Sequence, residues 1–204
     1  MIPARAHRLG VLGGTFDPPH VGHLIVARDA AAGLGLDRVF LVLAARPPHK
    51  RRVTAPPGLR LEMLEAASAD DPVLVASDIE VRRAGTSYTV DTLRELSARY
   101  PEAELVLLIG VDQWRQLADW KDPQGIARLA TVAVMAREGE DPAAVDPGVS
   151  VPSCVVPVTR IDVSATDVRA RARQGRSIRH LVPDAARIII ERETLYPPPA
   201  VQHA

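Results

Sequence analysis

Two histidines three residues apart, His20 and His23, follow a glycine pair in the run Gly13-Gly14-Thr15-Phe16-Asp17-Pro18-Pro19-His20-Val21-Gly22-His23. Imidazole donates to or accepts from oxygen near neutral pH, and glycine lets a ligand approach the backbone closely. The apolar run Arg8–Leu12 reads as a strand, and Val21–Ala32 reads as a helix beginning near Pro19 or His20. Open amides and the positive end of the helix dipole favour anions at such a helix start. Gly13, Gly14, Thr15, Phe16 and Gly22, with both imidazoles, therefore predict a phosphate cradle. If both histidines are helical, they share one face of the first turn. The loop is neither a P-loop nor a GxGxxG loop, because the lysine and the glycine spacing are absent. Two plainer readings stay open on these residues alone: a simple strand-end turn, or a His-x-x-His zinc pair, for which no further ligand cluster stands out.

Four other places carry chemistry. Ser164-Ala165-Thr166-Asp167-Val168-Arg169 starts a helix with two hydroxyls, open amides and an arginine one turn in, a set able to hold phosphate oxygens. It also reads as an ordinary capping box. Lys50, in Pro47-Pro48-His49-Lys50, is a mobile point charge able to reach a phosphate, or a solvated side chain in a proline-rich loop. Thr86, Ser87 and Tyr88 open the helix Val90–Arg99 and offer hydroxyls and amides to a carboxylate, or merely cap it. Gly110 and Asp112 follow a strand at its carboxyl end, and Trp120 closes Leu117-Ala118-Asp119-Trp120. Trp120 presents an aromatic face to a ligand, or packs in the core; the same two readings stay open for Trp114, packing being the simpler.

The elements that must position these residues alternate. Arg8–Leu12, Val39–Leu43, Val73–Ala76, Leu105–Ile109, Thr131–Met135 and Cys154–Val158 read as strands, several of them continuously apolar, as in a parallel sheet buried on both faces. Helices are predicted over Val21–Ala32, Gly58–Ala69 and Val90–Arg99. This predicts an α/β, Rossmann-like doubly wound parallel sheet, with ligands beyond the carboxyl ends of its strands. Ser164 to Tyr196 reads as two helices around Pro183, a small C-terminal helical subdomain within a single domain spanning residues 1–204. Arg46–Pro57 and Glu138–Pro152 read as loops, and Pro197–Ala204 as a frayed tail.

Composition excludes some classes. The chain has 204 residues, 47% hydrophobic and 25% charged, which is enough apolar material for a sizeable core. Its 25 basic residues balance 25 acidic ones, so no general attraction to nucleic acid or membrane is expected, and the basic stretch Arg171, Arg173, Arg176 and Arg179 reads as a solvated surface rather than an RNA site. No apolar run approaches the ~20 residues of a membrane span, and Met1–Arg8 is not followed by a signal-peptide core. A single cysteine, Cys154, cannot form an internal disulfide, which points to the cytoplasm.

Together these landmarks resemble the HxGH nucleotidyltransferase superfamily, and within it the nicotinate-mononucleotide adenylyltransferases. Gly13 to His23 looks like the HxGH signature. Ser164 to Arg169 resembles the Ser-Ser/Thr-Thr-x-Ile-Arg motif, with Ala165 where a second hydroxyl is common. The PPHK, SYTxDTL and LxxW segments correspond to Lys50, to Ser87–Leu93 and to Trp120. The resemblance implies transfer of the adenylyl group of ATP to nicotinate mononucleotide, with Mg²⁺ entering with ATP and no protein metal ligand. His20, His23, Lys50 and Arg169 are implied on the phosphates. Gly13, Gly14, Thr15, Phe16, Gly22, Gly110, Asp112, Ser164 and Thr166 are implied around ATP. Thr86, Ser87, Tyr88 and Trp120 are implied at the pyridine nucleotide. The partners are then the two nucleotides, with no nucleic acid and no membrane; the oligomeric state is not readable. Two rivals remain: the same transfer to nicotinamide mononucleotide or phosphopantetheine, and a non-catalytic nucleotide-binding protein on the same fold.

Overall fold

The computed structural model describes residues 8–47, 53–83 and 85–198. Six strands in them form one sheet: β1 (Arg8–Gly14), β2 (Arg38–Leu43), β3 (Leu74–Ser77), β4 (Glu104–Gly110), β5 (Thr131–Ala136) and β6 (Ser153–Pro157). Their order is β3-β2-β1-β4-β5-β6, with every pair parallel. Side chains alternate across a strand, and both faces are filled. Val39, Leu41 and Leu43 of β2 enter one apolar layer and Phe40 and Val42 the other; Val106 and Leu108 of β4 oppose Leu105, Leu107 and Ile109 in the same way. That double burial is why the central strands are continuously apolar.

Helices cover both faces. Helix α1 (Val21–Leu34) lays Ala27, Ala30 and Ala31 on the first layer, beside Leu64 of α2 (Pro57–Ser68). The short α3 (Ile79–Arg82), then α4 (Thr89–Arg99), α5 (Val111–Arg115) and α6 (Pro123–Leu129) cover the second layer through Ile79, Val90, Leu93, Leu96, Trp114 and Ile126. Helices α3, α5 and α6, of four, five and seven residues, were not expected. Segments so short hold too few turns for a 3.6-residue period to show.

The C-terminal helices form where Pro183 predicts a break: α7 (Ala165–Arg173) and α8 (Asp184–Arg192), with Pro183 at the start of α8. Val168, Ala186, Ile189, Ile190 and Tyr196 share a third apolar cluster with Met63 of α2 and with Ala55. Each large aliphatic buried there contributes roughly 1.5–3 kcal/mol. The ion pair Arg192–Glu62 at 2.8 Å lies across the same seam.

β1 runs two residues beyond its predicted end, through both glycines, with Gly14 opposite Leu43. The turn expected at Gly13-Gly14 comes instead at Thr15–Phe16. Helix α1 starts at Val21, so His20 is its cap rather than its first residue. The loop predicted at 138–152 contains a short 3₁₀ turn at Pro142–Ala144.

Candidate active site

β1 and β4 are neighbours in the sheet but not in the chain. After Gly14 the chain turns onto the face covered by α1; after Gly110 it turns onto the opposite face, where Val111 and Trp114 pack. The two connections diverge, and a crevice beyond the carboxyl ends is the expected ligand place where strand order reverses.

On the β1 side, Phe16 adopts φ 45° and tucks its ring beneath Gly14. A Cβ at Gly14 would meet that ring at 2.9 Å, so only glycine fits. The Phe16 ring stands edge-on to His23 at 4.9 Å, and His23 stacks on His20 with centroids 3.6 Å apart. A Cβ at Gly22 would lie 3.1 Å from His20 Nδ1. The His20 amide donates to His23 Nδ1 at 3.1 Å. That acceptor role places the proton of neutral His23 on Nε2. Burial, helped by the charge of Arg137, pushes the His20 pKa down to about 4. His20 is therefore neutral at pH 7, and its buried Nδ1 has no hydrogen-bond partner among the described residues. The helix-start amides are partly spent: Val21 donates to the Leu181 carbonyl at 3.0 Å. An anion at this helix start would therefore meet side chains more than open amides.

Beneath this loop lie two buried charges. Asp17 accepts from the amides of Thr54 at 2.8 Å and Ala55 at 3.1 Å and from the Tyr196 hydroxyl at 2.8 Å. Arg60, 1% exposed, donates to the carbonyls of Thr15, Ala44, Ala45 and Ala55 at 2.7–3.1 Å. Burial lowers the Arg60 pKa from its usual value, while the Asp17 carboxylate opposes that shift. Arg169 Nη1 donates to the Asp17 carbonyl at 2.6 Å, and Nη2 to Thr166 Oγ1 at 3.2 Å. The start of α7 is thereby held against the β1–α1 loop. Ser164 Oγ caps α7, accepting from the Asp167 amide at 3.1 Å.

On the β4 side, the Gly110 amide donates to Gln113 at 3.2 Å, and Asp112 stands exposed at the crevice mouth, 3.5 Å from Arg115. Ser87 and Arg46 exchange two bonds, Ser87 N to Arg46 O at 3.0 Å and Arg46 N to Ser87 Oγ at 3.1 Å. This ties the 86–88 segment to the end of β2. Tyr88 and Trp120 are half-buried against the same apolar layer. Lys121 lies 4.4 Å over the Tyr88 ring and 2.8 Å from Asp91. Its hydrogen bond holds the Asp91 carboxyl below the usual carboxylate range. Trp114 is buried, and its indole N–H reaches the Val145 carbonyl at 3.0 Å, which confirms packing as its role.

The description "Cytidylyltransferase-like" fits a family model over residues 11–171. A "Probable nicotinate-nucleotide adenylyltransferase" of Thermus thermophilus is 44% identical over 93% of this chain and 99% of its own length. One of Desulfitobacterium hafniense is 39% identical over 96% and 98%. The chain belongs to the nicotinate-nucleotide adenylyltransferase family. The fold matches too: a Plasmodium falciparum nicotinic acid mononucleotide adenylyltransferase, solved with NaAD, superposes with a TM-score of 0.76 at 15% identity, covering 93% of this chain and 97% of that one.

The family's landmarks fall into two groups here. Gly14, Thr15, Phe16, His20, Gly22, His23 and Arg169, with Thr166 on the Arg169 guanidinium and Ser164 at the α7 cap, meet on the β1 side. Gly110 and Asp112 meet at the β4 end. Thr86, Ser87 and Tyr88 are tied to the Trp120 segment through Lys121. Gly13 is the strand residue before the turn, with open space where a Cβ would point. Lys50 lies outside the described residues. Arg137, Asp17, Arg60, Tyr196, Arg46 and Lys121 were not assigned roles from the sequence. Two of them have a local signal: Asp17 stands inside the glycine–histidine run, and Arg137 directly follows β5 at the carboxyl end.

Proposed function

We infer that this chain transfers the adenylyl group of ATP to nicotinate mononucleotide, giving nicotinate adenine dinucleotide and pyrophosphate in NAD synthesis. The observation that carries this reading is the meeting of the β1–α1 loop with α7, where Arg169 sits on the Asp17 carbonyl beside the stacked His20–His23 pair. A triphosphate lying between them meets a guanidinium on one side and two imidazoles on the other.

The phosphate of nicotinate mononucleotide is the nucleophile. Its second pKa is about 6, so it is already anionic near neutral pH and needs no general base. One of its oxygens bonds to the α-phosphorus in line as the bond from α-phosphorus to the bridging oxygen breaks, and the electrons leave with pyrophosphate. Positioning and charge stabilisation then supply the catalysis. His23 donates from Nε2, and His20 contacts the phosphates as a neutral imidazole. Arg169 and Lys50 hold the outer phosphates, and Asp112 and Gly110 face the adenosine. Thr86–Tyr88 at the start of α4 receive the nicotinate carboxylate, where Lys121 offsets the charge of Asp91, and Trp120 faces the pyridine ring.

The donors on the phosphate side are imidazoles and guanidinium, which fit phosphate oxygens rather than a hard cation. The Asp17 oxygens are taken by Thr54, Ala55 and Tyr196, and no group of three or more His, Cys, Asp or Glu gathers as a cation site among the described residues. We assign Mg²⁺ to the triphosphate, and no step is routed through a protein-held metal. With a single cysteine the chain forms no internal disulfide, which supports a reducing compartment such as the cytoplasm. No described helix is long and apolar enough to cross a membrane.

The test is pyrophosphate release from ATP and Mg²⁺ with nicotinate mononucleotide, nicotinamide mononucleotide and phosphopantetheine supplied separately. Release chiefly with the first, with the dinucleotide as product, is the expected result. Release chiefly with either of the others would overturn the acceptor assignment. No release with any acceptor, from folded protein that binds ATP, would overturn the enzymatic reading.

A further inference from the structure

We propose that the Tyr196 hydroxyl and the Asp17 carboxylate form a positioning pair that sets Arg169 against the ATP triphosphate. The proposal rests on the reading of Arg169 as a phosphate ligand. Tyr196 lies beyond α8, 179 positions from Asp17 in the chain. The chain turns back after α8 through Thr194 at φ 50° and Tyr196 at φ 59°. Both are left-handed conformations that L side chains avoid. The reversal carries the Tyr196 ring into the apolar cluster between α2, α7 and α8, where it is 2% exposed.

The ring alone accounts for the packing; phenylalanine would fill the same space. The hydroxyl does something different. It donates at 2.8 Å to Asp17 Oδ1, the same oxygen that accepts from the Ala55 amide. Burial raises the hydroxyl pKa, reinforced by the Asp17 charge, so the group stays a donor across the working pH range. Asp17 lies three residues before His20, and its own carbonyl receives Arg169 Nη1 at 2.6 Å. Arg169 Nη1 is also 3.9 Å from Asp17 Oδ2. Arg169 thus faces both the carbonyl and the carboxylate of the residue that Tyr196 holds in place. Guanidinium has five N–H donors. Those bound to Asp17 and Thr166 aim the group, and the others are left for phosphate oxygens. The C-terminal segment thus reaches the reaction without touching substrate, and Tyr196 acts through Arg169 rather than as a catalytic residue.

The test is a double-mutant cycle on the full chain. Tyr196→Phe keeps the ring and removes one oxygen. It should raise the KM for ATP about fivefold, the scale of one lost hydrogen bond, while the KM for nicotinate mononucleotide stays within about twofold. Asp17→Asn turns one acceptor oxygen into a donor facing the Thr54 and Ala55 amides, and should raise the KM for ATP further. In an Arg169→Lys background, Tyr196→Phe should have no further effect on the KM for ATP, because the group it positions is gone. An undiminished effect in that background would overturn the proposal. So would an unchanged KM for ATP with a lowered melting temperature, or a Tyr196→Phe protein that fails to fold, since either makes the hydroxyl purely structural. If Arg169→Lys alone leaves the KM for ATP unchanged, the reading of Arg169 as a phosphate ligand fails instead, and the positioning pair falls with it.

Discussion

The two sides of the crevice are built differently. On the phosphate side, Asp17, Arg60 and Tyr196 are almost wholly buried and bind segments far apart in the chain. On the pyridine side, Tyr88 and Trp120 are half-buried, and the ion pairs that frame them, Asp91 with Lys121 and Arg94, lie partly in solvent. Ion pairs in solvent contribute little, about 0–1 kcal/mol each, whereas a buried and fully bonded charge cannot move without leaving partners unpaired. The difference follows the chemistry. In-line displacement at phosphorus demands fixed donors, while the acceptor side only has to hold and select a ring and a carboxylate. The buried residues beneath the side assigned to the phosphates should therefore answer substitution in stability, its donors that face the crevice in turnover, and the pyridine side in the KM of one substrate.

The sharpest break of that contrast is Arg60→Met. Four main-chain carbonyls lose their donor, and Asp17 loses a buried countercharge. A stability loss of about 3–5 kcal/mol is expected by denaturant titration, although Arg60 touches no substrate. A loss below about 1 kcal/mol would mean the phosphate side is no more rigid than its opposite. Next, His23→Ala removes a donor aimed at the phosphates without emptying a core position. Turnover should fall about 10²–10³-fold with the melting temperature nearly unchanged. Full turnover would remove His23 from the reaction.

The third effect is pH-dependent. The His20 pKa is about 4 in the folded protein and about 6.5 unfolded. Between those values the unfolded chain binds more protons, so stability falls as the medium is acidified. The contribution of neutral, buried His20 is complete above about pH 6.5 and is lost progressively down to about pH 4, roughly 3 kcal/mol in all. Chemical denaturation of His20→Gln at pH 7 and pH 4.5 should show a much flatter profile than the unsubstituted protein. Parallel profiles would mean that another group carries the acid sensitivity.

What the sequence shows of this enzyme depends on distance along the chain. The strands are legible because burial on both faces leaves continuous apolar runs such as Val39–Leu43. The glycine–histidine loop is legible because its glycines, aromatic and imidazoles are neighbours. Arg60 is not: in the helix Pro57–Ser68 it reads as an ordinary basic residue, and only the packing of α2 under Thr15 and Ala44 makes it a buried clamp. Tyr196, at the end of the last helical segment, gives no local sign of its partner 179 positions away. The same holds for the Glu138–Pro152 loop. Its contribution, a carbonyl for Trp114 at Val145 and another for the Ala118 amide at Pro147, appears only once the chain is folded.

The smallest expected effect tests the pyridine side directly. Trp120 lies half-buried beside Tyr88 and Lys121, and its packing and ring-stacking roles predict different signatures. An aromatic stack is worth about 0.5–1.5 kcal/mol beyond buried area. Trp120→Ala should then raise the KM for nicotinate mononucleotide about tenfold or less, with the KM for ATP within about twofold and a modest loss of stability. Trp120→Phe should recover part of the affinity, because a smaller ring still offers a face. Equal rises for both substrates with a clearly lowered melting temperature would show that Trp120 holds the whole crevice, and the two sides would then share the rigidity ascribed here to one.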